Sequence, residues 1–207
     1  MNVEELLKRY TAGQRNFSDI KLSRGSELYH IELPEIILSR SGLQDVQLQG
    51  CDLSEANLNR ANLGDANLEG IDLTRATLIE VYACDAIFAN SILEEANLMR
   101  ADLRDATFAG AILNGAILRG VELLSSYMEG ATWIGADLRG ANLGGSMMKG
   151  SNLTGANLRG AVMDSVDLRN AILRDADLRE VDLEFVQLDG ADLTNAIVDD
   201  LGPSGLF

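Results

Sequence analysis

The sequence has few of the residues on which most enzymes and most compact folds depend. Its 207 residues include one histidine, two cysteines, two prolines and only ten of Phe, Tyr and Trp together. The single histidine, His30, excludes a histidine pair or a three-histidine zinc centre. No apolar run approaches the ~20 residues of a membrane span, and the N-terminus lacks a secretory signal pattern. We therefore expect a cytoplasmic protein that is not an enzyme and has no catalytic, metal or cofactor site.

Basic residues are also scarce. There are 17 Lys and Arg against 32 Asp and Glu, which gives a formal net charge of -15. Apolar residues make up 46% of the chain, so the acidity does not indicate disorder. Such a charge opposes direct binding to nucleic acid or to an anionic membrane surface. Any partner is therefore expected to be a protein, whose identity the sequence does not give.

What the sequence does contain is an unbroken five-residue period. Apolar residues recur at every fifth position from Leu28 to Val198, which gives 35 consecutive repeats. All of these central residues are large except Ala83. Of these central positions 27 are Leu, and the residue two places earlier is always small or β-branched. Neither a helical nor a strand period fits this spacing. We infer that each repeat forms one short side of a coil whose interior holds both residues.

The residues between the centres indicate a turn in every repeat. Two positions after each centre, Gly, Asp or Asn occurs 22 times in 35. These residues tolerate the positive φ that a type II turn requires at its second central residue. Gly is nearly continuous at this site from Gly110 to Gly160. We predict type II turns in that stretch and other turn types elsewhere.

The repeated motif resembles that of the pentapeptide-repeat family. Residues 136–140, Ala-Asp-Leu-Arg-Gly, and 156–160, Ala-Asn-Leu-Arg-Gly, carry the likeness, which extends over residues 26–200. It implies an all-β solenoid, a right-handed quadrilateral parallel β-helix with four repeats in each coil. At ~4.8 Å per coil, about nine coils would make a rod roughly 42 Å long. At a spacing of one coil, the bulkiest centres would stack in a line: Phe88, Phe108, Met128 and Met148.

The N-terminal end of such a rod needs a cap, because its first coil would expose backbone and apolar interior. Residues 2–12 predict an amphipathic helix that begins at Asn2. Its apolar face consists of Val3, Leu6, Leu7 and Tyr10. A helix followed directly by repeats is similar to the openings of cyanobacterial family members.

Two early centres precede the main series, and they set the domain limits. Phe17 and Leu22 are offset by one residue, because Leu22 and Leu28 are six apart. We therefore divide the chain into a capping segment at 1–25, a continuous repeat domain at 26–200 and a tail at 201–207. In the tail, Leu206 and Phe207 are expected to fold back as a small plug or to meet a partner.

One group of outward positions is apolar and forms our preferred partner surface. Each member directly precedes its centre and should face solvent. The members are Ile87, Ile92, Ile112, Ile117, Tyr127 and Met147. The alternative interpretation is that β-branched residues simply suit strands.

Two groups of charged residues recur at a spacing of twenty and should form columns along the rod. The acidic column consists of Asp45, Asp65, Asp85 and Asp105. It indicates either turn chemistry, which Asp suits, or a surface for a cation or a basic partner. The basic column consists of Arg119, Arg139, Arg159 and Arg179. It is either a solvated face of ion pairs, because acids lie between the arginines, or a groove for an anion or an acidic partner.

The two cysteines are not expected to form a disulfide. Cys51 occupies a small inward site, whereas Cys84 follows a centre and should point outward. His30 lies at an early turn and is expected to be a solvated turn residue.

Two functions compete on these grounds. The first is a non-enzymatic rigid scaffold or protein-protein interaction module. The resemblance implies the alternative, an acidic DNA mimic that binds DNA gyrase or another DNA-binding protein, as some family members do. Duplex DNA would carry about 25 charges over the length of this rod. Here residues 106–163 contain 3 acids and 4 bases, so a continuous DNA-like surface is absent.

The C-terminal end bears on the oligomeric state. Its exposed apolar candidates, Phe185 and Val198, favour contact between two copies, as in family members that dimerise there. Residues 164–200 carry a net charge of -8, which opposes that contact at low salt. We expect a monomer or a weak, salt-promoted homodimer through this end.

Overall fold

The computed structural model describes residues 1–199. Helix α1, Val3–Thr11, covers the N-terminal end of the coiled repeats. The side-chain Oδ1 of Asn2 accepts a hydrogen bond from the Glu5 amide at 2.8 Å, which caps the helix. Leu6 is fully buried against the first coil. The Tyr10 hydroxyl donates to the carbonyl of Pro34 at 2.8 Å and fixes the helix in place. The predicted capping helix is confirmed, one residue shorter at each end.

Parallel bridges between residues twenty apart build the rest of the described chain. They begin with Glu27 and Gln47 and continue to Asp177 and Ile197. The first two bridges, from Asn16 and Lys21, span twenty-one residues instead. This is the extra residue predicted between Leu22 and Leu28. Each repeat contributes a single bridging residue, so residues 1–199 contain no continuous strand.

From Leu33 to Leu193 a turn follows each centre, and a backbone hydrogen bond closes it. The Ala56 amide, for example, donates to the Leu53 carbonyl at 3.1 Å. From His30 to Asn195 the second central residue has a φ between +53° and +72°, except at Phe185. The prediction of other turn types outside the glycine-rich stretch is wrong, because residues such as Glu55 adopt the same positive φ. Cross-coil bonds impose it: the Glu55 amide donates to the Thr74 carbonyl at 2.9 Å.

The interior is filled by the two inward residues of each repeat. Both are buried in every repeat from Ile36 and Leu38 to Ala176 and Leu178. The predicted aromatic stacking is confirmed: the Phe88 and Phe108 rings are parallel, with centroids 4.7 Å apart. Trp133, the only tryptophan, is fully buried, and its ring centroid lies 6.2 Å from that of Phe108.

Four repeats therefore make one coil, and the coil has four sides. We number the sides by their centres, which recur every twenty residues from Leu28 on side 1, Leu33 on side 2, Leu38 on side 3 and Leu43 on side 4. An edge is named by the two sides that it joins.

The last described coil is looser than the others. The bridge expected between Val162 and Asp182 on side 4 is absent from the otherwise regular series. Its centres, such as Leu183, are only half-buried, and Phe185 is 64% exposed. The predicted tail with its Leu206–Phe207 plug lies outside the described residues.

Candidate interaction surfaces

The predicted apolar surface is divided among three sides. Ile87, Tyr127 and Met147 lie in line on side 1, with Thr107 completing the series of bridges. They are the best exposed, at 38%, 48% and 39%. On side 2, Ile92 and Ile112 are bridge partners but half-buried, and Ile117 lies on side 3. The structure therefore brings five of the six together around edge 1–2 and separates Ile117 from them.

Edge 1–2 carries no charge in the coils of Ile87 and Thr107, whereas Glu129 and Lys149 lie on it beside Tyr127 and Met147. In the first two coils its exposed or half-buried positions are Ala89, Asn90, Ala109 and Gly110. The sequence prediction missed a further exposed residue, Ile134, which follows its centre on side 2 and is 43% exposed. Its signal was an apolar residue one place after a centre, a position that was not included in the search for an apolar surface.

The acidic column lies along edge 4–1, as its spacing predicts. Asp45, Asp65, Asp85 and Asp105 all adopt a φ between +58° and +60°. Among the residues described, none of the four forms an ion pair. Over the same range, no three His, Cys, Asp or Glu side chains are grouped so that they could hold a metal ion. The column is thus an edge of free carboxylates without a chelating arrangement.

The basic column lies on side 3, and each of its arginines contacts a carboxylate. Asp137 accepts hydrogen bonds from Arg139 Nη2 at 2.8 Å and from Arg119 Nε at 2.5 Å. These bonds, chiefly that of Arg139, lower the pKa of Asp137 to about 2. Arg159 contacts Glu180 at 2.5 Å, and Arg179 binds Asp177 at 2.6 Å. The positive charge of this column is therefore largely neutralised within the chain.

A second group of basic residues, which sequence reasoning missed, lies near the N-terminal end, on edge 3–4 and across the adjoining side 4. Two neighbouring surface grooves of about 310 and 280 Å³ meet there and share Arg40 and Arg60. Lys21 and Arg24 line the first groove as well. We call these four residues and the grooves between them the basic groove. The spacing of twenty between Arg40 and Arg60 was visible in the sequence, but Lys21 and Arg24 belong to the offset first coil.

Both cysteines are free and buried, Cys51 in the core and Cys84 outside it, where outward side chains of the neighbouring coil cover its thiol. The Cys84 Sγ donates to Asp102 Oδ1 at 3.1 Å, and Arg104 holds that carboxylate by two hydrogen bonds. Burial raises the pKa of the Cys84 thiol, and burial likewise raises that of Cys51, which donates to the Leu28 carbonyl. Both thiols are therefore protonated at neutral pH and poor nucleophiles. His30 is exposed at its turn, with a φ of +53°.

No helix between residues 1 and 199 has both the length and the apolarity that crossing a membrane requires. The compartment itself stays a prediction.

The geometry defines the class of protein: a capped coil of five-residue repeats with a turn in each. Comparison with known families gives the same result, because the profile of pentapeptide repeats matches in eight copies over residues 41–78, 84–120, 122–160 and 156–195. The chain belongs to the pentapeptide-repeat family. The family and the structural likeness described next imply a right-handed β-helix.

Among solved structures, the chain is similar to HetL of the cyanobacterium Nostoc sp. strain PCC 7120, a pentapeptide-repeat protein involved in the regulation of heterocyst differentiation. The two are 32% identical over 97% of this chain and 98% of HetL, with a TM-score of 0.53. Full-length QnrB1, a plasmid-mediated fluoroquinolone resistance protein, is 15% identical over 91% of this chain and 96% of its own, with a TM-score of 0.42. No curated protein matches the chain.

Proposed function

We propose that this protein is a non-enzymatic rigid scaffold that binds a protein partner through its sides. The proposed architecture is a right-handed quadrilateral β-helix of about nine coils, with repeats at 26–200 between the capping segment and the tail. A rod of this kind presents surfaces at fixed spacings and loses little conformational freedom when it binds. The likeness to HetL, a protein involved in the regulation of heterocyst differentiation, supports this proposal.

The observation that carries the proposal is the apolar line on side 1. Ile87, Tyr127 and Met147 expose 38% to 48% of their surface in neighbouring or next-neighbouring coils. In the coils of Ile87 and Thr107 an uncharged stretch of edge 1–2 connects this line to Ile92 and Ile112 on side 2, and Glu129 and Lys149 border it further along the edge. Aromatic residues and Met are enriched in protein interfaces, and charged residues are depleted at their centres. The middle of the rod therefore offers an interface composition on a chain that is elsewhere strongly acidic.

The proposal is tested by affinity capture from the cytosol of the source organism, with the wild type and the double variant Ile87→Asp and Ile112→Asp. Both substitutions place a charge in the apolar surface without changing the backbone. We expect a partner that the wild type retains and this variant loses. The matched control is Val162→Asp with Ile197→Asp, because these residues are 48% and 49% exposed on sides 4 and 3. Equal loss of the partner in both double variants would contradict the proposal.

A second candidate function is the acidic DNA mimic that binds DNA gyrase or another DNA-binding protein. It is favoured by the four unpaired carboxylates of the acidic column along edge 4–1. The column ends at Asp105, and Ser125, Gly145 and Ser165 follow on the same edge, so it spans fewer than half of the coils. Recovery of gyrase in the same capture experiment, and its loss in a variant with Asp65→Asn and Asp85→Asn, would favour this candidate.

For the oligomeric state we propose a monomer or a weak C-terminal homodimer. The half-buried centres of the last described coil and the exposed Phe185 support contact at that end. The surrounding carboxylates, including Asp182 and Glu184, oppose it. Light scattering across ionic strength tests the proposal, and a tight dimer that persists at low salt would contradict it.

A further inference from the structure

The basic groove, on edge 3–4 and side 4, has an unusual lining for this protein. The chain has almost twice as many acids as bases, yet the two grooves are lined by four basic residues and no acid. The basic residues are Lys21, Arg24, Arg40 and Arg60. They come from three successive coils, so their charges converge only in the folded protein.

The neutral side chains of the groove add hydrogen-bond donors. The side-chain oxygens of Asn57, Asn59 and Asn62 each accept a bond from a backbone amide, those of Asn59, Ile79 and Gly64 respectively. In the described structure, none of the three side-chain NH2 groups has an acceptor of its own. The asparagines therefore offer NH2 donors to a ligand, while one lone pair of each side-chain oxygen is already used, and donors are what an anionic group requires.

Contacts with neighbouring residues orient three of the four basic side chains. The side chain of Lys21 lies over Gly42, and a Cβ added to Gly42 would be 3.2 Å from the Lys21 Cγ. Asp19 holds Arg40 through Nε and Nη2, at 2.8 and 2.6 Å, and leaves Nη1 for a ligand. Glu80 holds Arg60 through Nε at 2.7 Å, which leaves both terminal nitrogens. Preorganised guanidinium groups lose less entropy when they bind a carboxylate.

We propose that the basic groove binds an acidic segment of a protein partner, with the carboxylates of an Asp- or Glu-rich peptide on Arg40 and Arg60. Charge complementarity supports this occupant on a chain of net charge -15, because Lys21 and Arg24 have no carboxylate partner in the described structure and Arg40 and Arg60 keep unused donors beside Asp19 and Glu80. That overall charge repels a nucleic acid, whose phosphates extend far beyond the groove, more strongly than a short peptide. The site lies diagonally opposite the apolar surface on edge 1–2, so the proposal for the groove can be tested independently of that surface.

Fluorescence anisotropy with a labelled polyglutamate peptide of about ten residues tests the proposal on the full-length protein. We expect saturable binding that weakens with salt, and no binding of the matching polyglutamine peptide. The variant Arg40→Gln with Arg60→Gln should bind at least about tenfold more weakly, as expected for the loss of two charge-assisted hydrogen-bonded contacts. Lys21→Gln with Arg24→Gln should also weaken binding, and neither of these residues has an ion pair in the described structure.

The control is Arg139→Gln with Arg179→Gln, which changes the net charge equally but removes arginines of side 3 that lie outside the groove. We expect its affinity for the peptide to stay within about twofold of the wild type. Equal weakening of the groove and control variants would overturn the proposal, and so would wild-type binding by the variant at Lys21 and Arg24. Preference for duplex DNA over the peptide, or occupation of the groove by a second copy in sedimentation experiments, would overturn the proposed occupant. Melting curves of all variants establish that they are folded.

Discussion

Between residues 30 and 105, 14 of the 16 corner residues are not glycine, whereas between 110 and 160 ten of eleven are glycine. The backbone conformation at the corners is nevertheless the same in both stretches. Glu35 and Arg60 have a φ of +58°, and Gly115 and Gly140 have +67° and +63°. The turn is thus a property of the coil, which its cross-coil hydrogen bonds impose on whichever residue is present. We call the two stretches the charged-corner region and the glycine-corner region.

The comparison also bears on the meaning of the corner charges. A non-glycine residue with positive φ costs about 1 to 2 kcal/mol, and Asp and Asn tolerate it better than Arg or Glu. Cross-coil ion pairs at these corners, such as Arg75 with Glu55 at 2.5 Å, are exposed and contribute about 0 to 1 kcal/mol. Turn chemistry therefore accounts for the acidic column, but it does not account for Arg40 or Arg60. Arg75 and Arg100 occupy the same kind of corner outside the basic groove, so corner strain by itself does not indicate a binding role.

The largest expected effect tests whether the two regions share one core. Phe88 belongs to the charged-corner region and Phe108 begins the glycine-corner region, and their stacked rings are fully buried. We expect Phe88→Ala and Phe108→Ala each to lower the free energy of unfolding by about 3 to 5 kcal/mol, because each leaves a cavity. Denaturant unfolding followed by Trp133 fluorescence measures both. Phe185→Ala, at an exposed position, is the control, and a single transition should be seen in every case.

The second prediction concerns the strain at the corners, on edge 3–4. Gly140 has a φ of +63° and Arg100 has +55°, and nothing lies within 4 Å of a Cβ added at Gly140. Gly140→Val should therefore lower the free energy of unfolding by about 2 kcal/mol, through backbone strain rather than a clash. Arg100→Val should cost about 1 kcal/mol less, because Arg100 already bears most of that strain. Equal losses in chemical denaturation would show that the two regions do not differ in stored strain.

The third prediction separates strain from contact on edge 1–2. Gly50 and Gly70 have φ values of +63° and +64°, but an added Cβ overlaps the His30 ring at Gly50 and meets nothing at Gly70. We expect Gly70→Ala to lower the free energy of unfolding by about 1 kcal/mol and Gly50→Ala to lower it further. Combining Gly50→Ala with His30→Ala should remove the excess. If the extra destabilisation of Gly50→Ala persists in the double variant, contact with the His30 ring is not its cause.

The sequence allowed the repeat, the cap and the offset to be predicted because each depends on residues close together in the chain. The Leu22 to Leu28 step and the cap at Asn2 are examples. The burial of Cys84 could not be predicted in this way, because its neighbour Asp102 comes from the next coil. The basic groove was missed for the same reason: Lys21 approaches Gly42 through a register of twenty-one, which a search at twenty does not find. The turn that nearly all repeats share was not predicted, because we inferred the turn type from the preference of each residue and not from the geometry of the coil.

The smallest expected effect concerns charge pairing in the glycine-corner region, where Asp137 binds two arginines of the basic column. Its pKa of about 2 lies below the ordinary value near 4, so the carboxylate stabilises the folded state above pH 4, and this contribution is lost as the pH falls towards 2. We expect Asp137→Asn to lower the free energy of unfolding by about 1 kcal/mol at pH 7, and this difference from the wild type to shrink towards zero at pH 2. Urea titrations at several pH values measure it. Asp65→Asn, in the charged-corner region, removes a carboxylate that has no ion pair in the described structure, so at pH 7 its loss should be smaller. If the two variants lose the same stability at pH 7, the paired carboxylate of side 3 contributes no more than the free carboxylate of edge 4–1.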